Sequence, residues 1–217
     1  VGPLRSGTTM LRLMVGSHPL IYGVGELEFA VSQTVGAEWP ALAGYYNFLS
    51  EDRQAQSFDF AIDKSLAYEE LVRSFLTQAA EKSPKELVSG SVHSRIDMLP
   101  DLWPNAKYIH ILRDPRDVAH SCIGMGWVGN SYAGVDFWME TEGHWDKLCN
   151  KVNSKNRIDV RYEDLVREPV CELGKICSFL AIDYDSDMLS IDTTSSYKKP
   201  DKKFANQWVR NMNELEV

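Results

Sequence analysis

Gly2-Pro3-Leu4-Arg5-Ser6-Gly7-Thr8-Thr9 stands near the start of the chain, and the segments on either side decide how it is read. Before it, Val1 to Leu4 read as the stub of a β-strand. After it, Met10, Leu11 and Met14 recur at helical spacing in a helix from about Gly7 to Ser17. A turn between strand and helix with Gly-x-x-x-x-Gly spacing has the form of a phosphate-binding loop, because its backbone N–H groups and the positive helix end converge on an anion. In the nucleotide-hydrolysing form a Lys follows the second Gly, and a Ser or Thr follows the Lys. Here Thr8 takes the Lys position, Thr9 keeps the hydroxyl, and the cation has moved to Arg5. The plainer reading is a turn that merely joins strand to helix.

Outward from this loop the chain alternates. β-Prone runs at Leu87–Ser89, Lys107–Arg113 and Ile158–Arg161 each adjoin a segment of helical periodicity. Helices are expected around Phe29–Val35, Leu66–Glu81, Phe137–Val152 and Pro169–Leu180, the last opened by a first-turn Pro. Such alternation predicts βαβ units, hence an α/β fold of three layers with a central parallel sheet flanked by helices. No repeat or Pro/Gly/Ser-rich linker divides the 217 residues, so one domain over 1–217 is expected.

Composition narrows the partners. The 31 acidic and 23 basic residues leave a formal charge of −8, which repels nucleic acid and anionic membranes, although a small anionic ligand needs only a local basic pocket. No apolar run approaches the ~18 residues of a membrane span. The four cysteines form no CxxC pair and read as buried thiols. Together with the absence of an Asn-x-Ser/Thr site, they lean toward a cytoplasmic location, unless a targeting sequence lies upstream of Val1.

A second anion-binding candidate follows the third strand run, in Leu112-Arg113-Asp114-Pro115-Arg116-Asp117-Val118-Ala119-His120-Ser121. An arginine at the carboxyl edge of a strand in an open α/β sheet faces the ligand crevice. Ser121 falls two turns along the next helix. Alternatively, Arg113 and Arg116 pair with Asp114 and Asp117 on the surface.

Pro3-Leu-Arg-Ser-Gly-Thr-Thr-Met-Leu-Arg12, with His18-Pro19 and Gly25-Glu26-Leu27, resembles the 5′-phosphosulfate loop and acceptor-side element of sulfotransferases that use 3′-phosphoadenosine-5′-phosphosulfate (PAPS). Arg-Asp-Pro-Arg-Asp, with Ser eight residues after the first Arg, resembles the same family's 3′-phosphate site. The resemblance implies a P-loop-like fold with Ser6, Gly7, Thr8 and Thr9 on the 5′-phosphate and Arg113 and Ser121 on the 3′-phosphate. Arg161-Tyr162-Glu163-Asp164-Leu165 is similar to a further family element, so Tyr162 either touches the cofactor or is an ordinary core aromatic. Ser195–Lys203 resembles a mobile loop over the nucleotide, with Lys203 as a cofactor contact; a solvated charge run is the competing reading.

The resemblance covers residues 1–28, 107–127, 157–180 and the C-terminal loop. The stretch of about 30–85 carries no family motif and is expected to be a mainly helical segment shaping the acceptor site. Many members carry a Lys-x-Pro element where Ser89-Gly-Ser-Val-His93-Ser-Arg95 stands here. His93 or Arg95 either does part of that lysine's work or is structural.

The implied reaction is in-line transfer of a sulfuryl group from PAPS to a hydroxyl or amine on a small molecule, acyl chain, sugar or peptide, releasing 3′-phosphoadenosine-5′-phosphate (PAP), with no metal required. It needs a base for the acceptor proton and a cation for the leaving phosphate. Glu26 is the base candidate and Glu28 the fallback, a solvated carboxylate being the plainer reading of Glu26; Arg5 is the leaving-group cation. Two other functions stay open: a small-molecule kinase, which lacks its lysine after Gly7, and a catalytically silent nucleotide-binding module.

Overall fold

The computed structural model describes residues 1–190 and 200–212. Its helices and strands follow in the order α1 (Thr8–Gly16), β1 (Ile21–Glu26), α2 (Leu42–Glu51), α3 (Arg53–Gln56), α4 (Tyr68–Glu81), β2 (Leu87–Ser91), α5 (Leu99–Leu102), β3 (Tyr108–Leu112), α6 (Pro115–Gly124), α7 (Ser131–Lys151), β4 (Arg157–Arg161), α8 (Tyr162–Arg167), α9 (Pro169–Leu180) and α10 (Trp208–Asn211). The strands pair as two separate two-stranded parallel sheets rather than one continuous one: β1 with β2, starting at Ile21 opposite Leu87, and β3 with β4, starting at Tyr108 opposite Arg157. The expected strand stub at Val1–Leu4 contracts to one paired residue. Val1 nitrogen donates to Ile109 O at 2.8 Å, and Ile111 N–H donates to Val1 O at 3.0 Å. Directly after it, Gly2 O faces His93 Nδ1, just past β2, at 3.1 Å. The phosphate-loop candidate thus leaves from between the two strand pairs.

β1 was not expected as a strand, because Gly23 and Gly25 dilute its β-propensity. Gly23 has a packing reason and Gly25 a backbone one, its φ of 109°. A Cβ on Gly23 would lie 3.2 Å from Gly16 Cα, so α1 can lie close against β1 only where both residues lack side chains. The expected helix over Phe29–Val35 shrinks to a single 3-10 turn, Glu28–Ala30. The Glu28 carboxylate is drawn off to the backbone N–H groups of His93 and Ser94, both at 2.9 Å, which ties this turn to the end of β2. Within the stretch of about 30–85 lie the helices α2, α3 and α4, separated by irregular segments.

Alternation along β3 divides the core. Tyr108 joins one apolar cluster with Phe29, Leu71, Phe75 and Leu148 from the α4 and α7 side. Ile109 and Ile111 join the other, with Met10, Met14, Leu165 and Ile176 from α1, α8 and α9. Parallel strands with apolar residues on both faces need helices on both faces. No helix among the described residues is long and apolar enough to cross a membrane.

His110, on the same face as Tyr108, is a polar exception at 1% exposure. Its Nδ1 lies 2.8 Å from Asp159 Oδ1 and its Nε2 3.3 Å from Glu142 Oε1, while the ring stacks on Trp145 at 4.3 Å. Burial opposes the charged form, but the two carboxylates outweigh it and raise the imidazole above its ordinary value. A raised folded-state value means that this stabilisation is fully present below the unfolded value of ~6.5 and is lost as pH rises through the folded one. The urea midpoint of the unaltered chain should therefore exceed that of His110→Gln most at pH ~6. The gap should narrow toward pH ~9, each tenfold of raised proton affinity being worth ~1.4 kcal/mol. A gap that does not change with pH would show that the imidazole is not charged in the folded chain.

Candidate functional site

The loop before α1 owes its shape to two left-handed residues, Arg5 at φ 68° and Gly7 at φ 92°. Left-handed backbone costs an L-residue energy, so Arg5 must be held there by something else. The holder is Arg113, whose Nη1 donates to Arg5 O at 2.9 Å. Gly7 is required for a second reason: a Cβ there would sit 2.4 Å from the Tyr162 ring. Gly7 is also the N-cap of α1 and supplies no capping side chain, so the amides of the first turn remain available to an anion. Thr8 is buried in that turn and Thr9 half-buried, and the Ser6 hydroxyl is buried with no partner among the described residues.

The second anion element meets this loop directly. Arg5 Nε donates to Ser121 Oγ, on α6, at 2.9 Å, and the Arg5 guanidinium lies 5.7 Å from the Trp127 ring centroid. Arg113 is 8% exposed and stands 4.3 Å over the Tyr162 ring. Its Nη2 is 3.4 Å from Asp117 Oδ2 and from Phe204 O, and its Nε is buried without a partner among the described residues. Arg113 is therefore only loosely neutralised. Arg116 takes the plain pairing instead, with Asp114 Oδ2 at 2.8 Å, and lies 3.4 Å over Trp208.

The Tyr162 ring packs between Gly7 and Arg113. Burial, offset by Arg113, raises its hydroxyl above the ordinary value. Lys203 is exposed and pairs with Asp201 at 2.7 Å. Lys198 and Lys199, also expected in the covering loop, lie outside the described residues; Lys202 is exposed. The described part of the segment does reach the site, since Asp117 accepts from Gln207 N–H at 3.2 Å and Trp208 N–H at 2.6 Å.

Glu26 ends β1 and faces a cavity of about 340 Å³, whose walls also include Leu4, Gln54, His93 and Phe137. Its Oε2 accepts from Gln54 Nε2 at 3.1 Å, and its Oε1 lies 3.9 Å from His93 Nε2. His93 chiefly holds the Glu26 carboxyl below the ordinary range, with Arg12 and Gln54 adding to the effect against partial burial. Glu28 shares the cavity, but both of its oxygens are taken up by His93 N–H and by the N–H and hydroxyl of Ser94. Of the two carboxylates, Glu26 keeps more freedom to meet a ligand. Arg95 pairs with Asp97 at 3.8 Å and donates to the carbonyls of Thr34 and Gly36, a structural set of contacts.

Asp117, expected as a surface partner in the plainer reading of Arg113 and Arg116, does pair with Arg113, but the pair is buried rather than on the surface. Two features were not read from the sequence. Gln54 and the His93–Glu26 contact join segments distant in sequence, and no local pattern announces them.

The model of the sulfotransferase family matches residues 1–186. Curated relatives include protein-tyrosine sulfotransferase A of Caenorhabditis elegans, 25% identical over 197 residues, covering 87% of this chain and 50% of that protein. The protein-tyrosine sulfotransferase of Drosophila melanogaster is 23% identical over 209 residues, covering 87% of this chain and 38% of its own length. The chain thus spans half or less of these two relatives. Among solved structures, the sulfotransferase domain of the Synechococcus PCC 7002 olefin synthase superposes with a TM-score of 0.77 at 23% identity, over 98% of this chain and 86% of that one. The sulfotransferase domain from the curacin biosynthetic pathway gives 0.71 at 18% identity, over 98% and 90%. A mouse sulfotransferase solved with PAP gives 0.55 at 17% identity, over 99% and 77%. These likenesses show a common fold, and the family match shows more: this chain belongs to the sulfotransferase family, whose members are PAPS-dependent transferases.

Proposed function

We propose that this chain moves a sulfuryl group from PAPS to a hydroxyl or amine acceptor. The reading is carried by the Arg5–Ser121 and Arg113–Arg5 contacts, which make one basic crevice of two sequence elements, each suited to a phosphate. The partnerless Ser6 hydroxyl and Arg113 Nε fit an anionic ligand, since buried polar atoms without partners are costly unless something else satisfies them. Thr8 stands where the nucleotide-hydrolysing loop has its lysine, which disfavours a kinase.

In this reading the amides of residues 7–9 and the Ser6, Thr8 and Thr9 side chains hold the 5′-phosphate, while Arg113 and Ser121 hold the 3′-phosphate. Tyr162 positions Gly7 and Arg113, and Lys203 sits on the segment that covers the nucleotide. Glu26 takes the acceptor proton as the acceptor oxygen or nitrogen bonds to sulfur. The bond from sulfur to the phosphate oxygen breaks, and Arg5 stabilises the charge left on that oxygen. The relatives' names speak of protein tyrosine; for this chain, a phenolic hydroxyl is one acceptor among the hydroxyls and amines that the chemistry admits.

Calorimetry should show PAP binding far more tightly than ATP, in the presence of chelator. Arg113→Ala, or the milder Ser121→Ala if the former fails to fold, should weaken PAP selectively. Loss of a charge-assisted contact costs ~1.5–3 kcal/mol, so Arg113→Ala should weaken binding roughly 10- to 150-fold. Equal affinity for PAP and ATP would contradict the assignment.

Glu26→Gln should keep PAP affinity and lose about 10²–10⁴-fold in single-turnover transfer, whereas Glu28→Gln should lose much less. A full rate in Glu26→Gln would make Glu26 structural. Because His93 is the main cause of the low Glu26 value, His93→Gln should move the acid limb of the pH–rate profile to higher pH. An unmoved limb would remove Glu26 from that limb. Binding of PAP with no transfer to any acceptor in a broad screen would leave the silent nucleotide-binding module.

A further inference from the structure

The cavity beside Glu26 has a one-sided charge pattern. Three of its walls are the carboxylates Glu26, Glu28 and Glu140, and the residues lining it among those described include no lysine or arginine. Arg12 bears on Glu26 without lining the cavity, Arg95 is engaged with Asp97, and Arg5, next to the lining residue Leu4, is engaged with Ser121. The two histidines in the lining do not reverse the pattern. His93 lies against Glu26, and burial lowers His144 below its ordinary value despite Asp97 at 3.9 Å, favouring the neutral ring. The apolar walls are Leu4 and Phe137, 37% and 39% exposed at the mouth, with Trp127 44% exposed beyond Arg5. The donor crevice is thus cationic and the adjoining acceptor cavity anionic and partly apolar.

We propose that the acceptor is a hydroxyl compound with an apolar body and no negative charge near the reacting oxygen, a cationic group there being favoured. This rests on the sulfotransfer reading of the same site. A surplus of like charge around a half-enclosed cavity discriminates by repulsion even where Glu26 and Glu28 accept hydrogen bonds, and selectivity by repulsion needs no contact specific to the right partner. One negative charge held about 6 Å from a single half-buried carboxylate weakens binding about tenfold or more. Acidic peptides and carboxylated phenols are therefore poor acceptors, while a neutral or amine-bearing phenol or alcohol meets no such barrier.

The test uses three para-substituted phenols of similar size with labelled PAPS: tyramine, 4-ethylphenol and 4-hydroxyphenylacetate. At ~0.05 M salt, kcat/KM for tyramine and 4-ethylphenol should exceed that for 4-hydroxyphenylacetate at least about tenfold, and the ratio should shrink as salt rises to ~0.5 M. Glu140→Gln should shrink the ratio as well, by about threefold. A carboxylated phenol turned over as well as tyramine, or a ratio indifferent to both salt and Glu140→Gln, would overturn the proposal. Absence of transfer to all three while PAP still binds by calorimetry would overturn the acceptor assignment alone. Absence of PAP binding would overturn the sulfotransfer reading beneath it.

Discussion

The structure of the site depends on a buried guanidinium. Arg113 donates to the carbonyl of Arg5, stands over Tyr162 and is only partly balanced by Asp117 at 3.4 Å. Taking a cation out of water is expensive, and a carboxylate at that distance compensates poorly. The remaining positive potential faces the crevice, where an anion can supply what the protein withholds. The same side chain keeps Arg5 in the left-handed region and thereby turns its guanidinium toward Ser121. Binding capacity and loop shape share one cause.

That arrangement reconciles an acidic chain with an anionic donor. The net charge of −8 is a property of the whole surface, whereas the crevice is set by Arg5, Arg113 and the first turn of α1, within a few ångströms of one another. Exposed charges farther off than about 10 Å are largely screened at ordinary salt. The acidic surplus is felt instead in the cavity beside Glu26, where Glu26, Glu28 and Glu140 gather. Asp117 connects the crevice to the C-terminal segment by accepting from Gln207 and Trp208. A ligand that draws on Arg113 therefore also acts on the contact that seats this segment.

Much of the fold was legible because the alternation of β-prone and helical runs survives in the local sequence. β2, β3 and β4 lie where apolar runs predict them, and α4 and α9 match their expected bounds closely. β1 was hidden by Gly23 and Gly25: Gly23 admits the close approach of Gly16, and Gly25 takes a left-handed φ of 109°. The Phe29–Val35 periodicity misled because Phe29 and Val31 are buried from a 3-10 turn held by Glu28, not from a helix face. The loop and the Arg113–Ser121 element were legible because each is a short run of consecutive residues, and the structure brings the two runs together. The cavity beside Glu26 was not: Gln54, His93 and Glu140 reach it from separate elements, and only the fold brings them together.

The central claim is that the loop before α1 and the start of α6 form one site for two phosphates. A crystal structure of the chain with PAP tests it most directly. The account predicts the 5′-phosphate on the amides of residues 7–9 and the 3′-phosphate within hydrogen-bond reach of Arg113 and Ser121, with the nucleotide lying along the carboxyl edge of β3. PAP bound with its 3′-phosphate away from both side chains, or outside this crevice altogether, would contradict it.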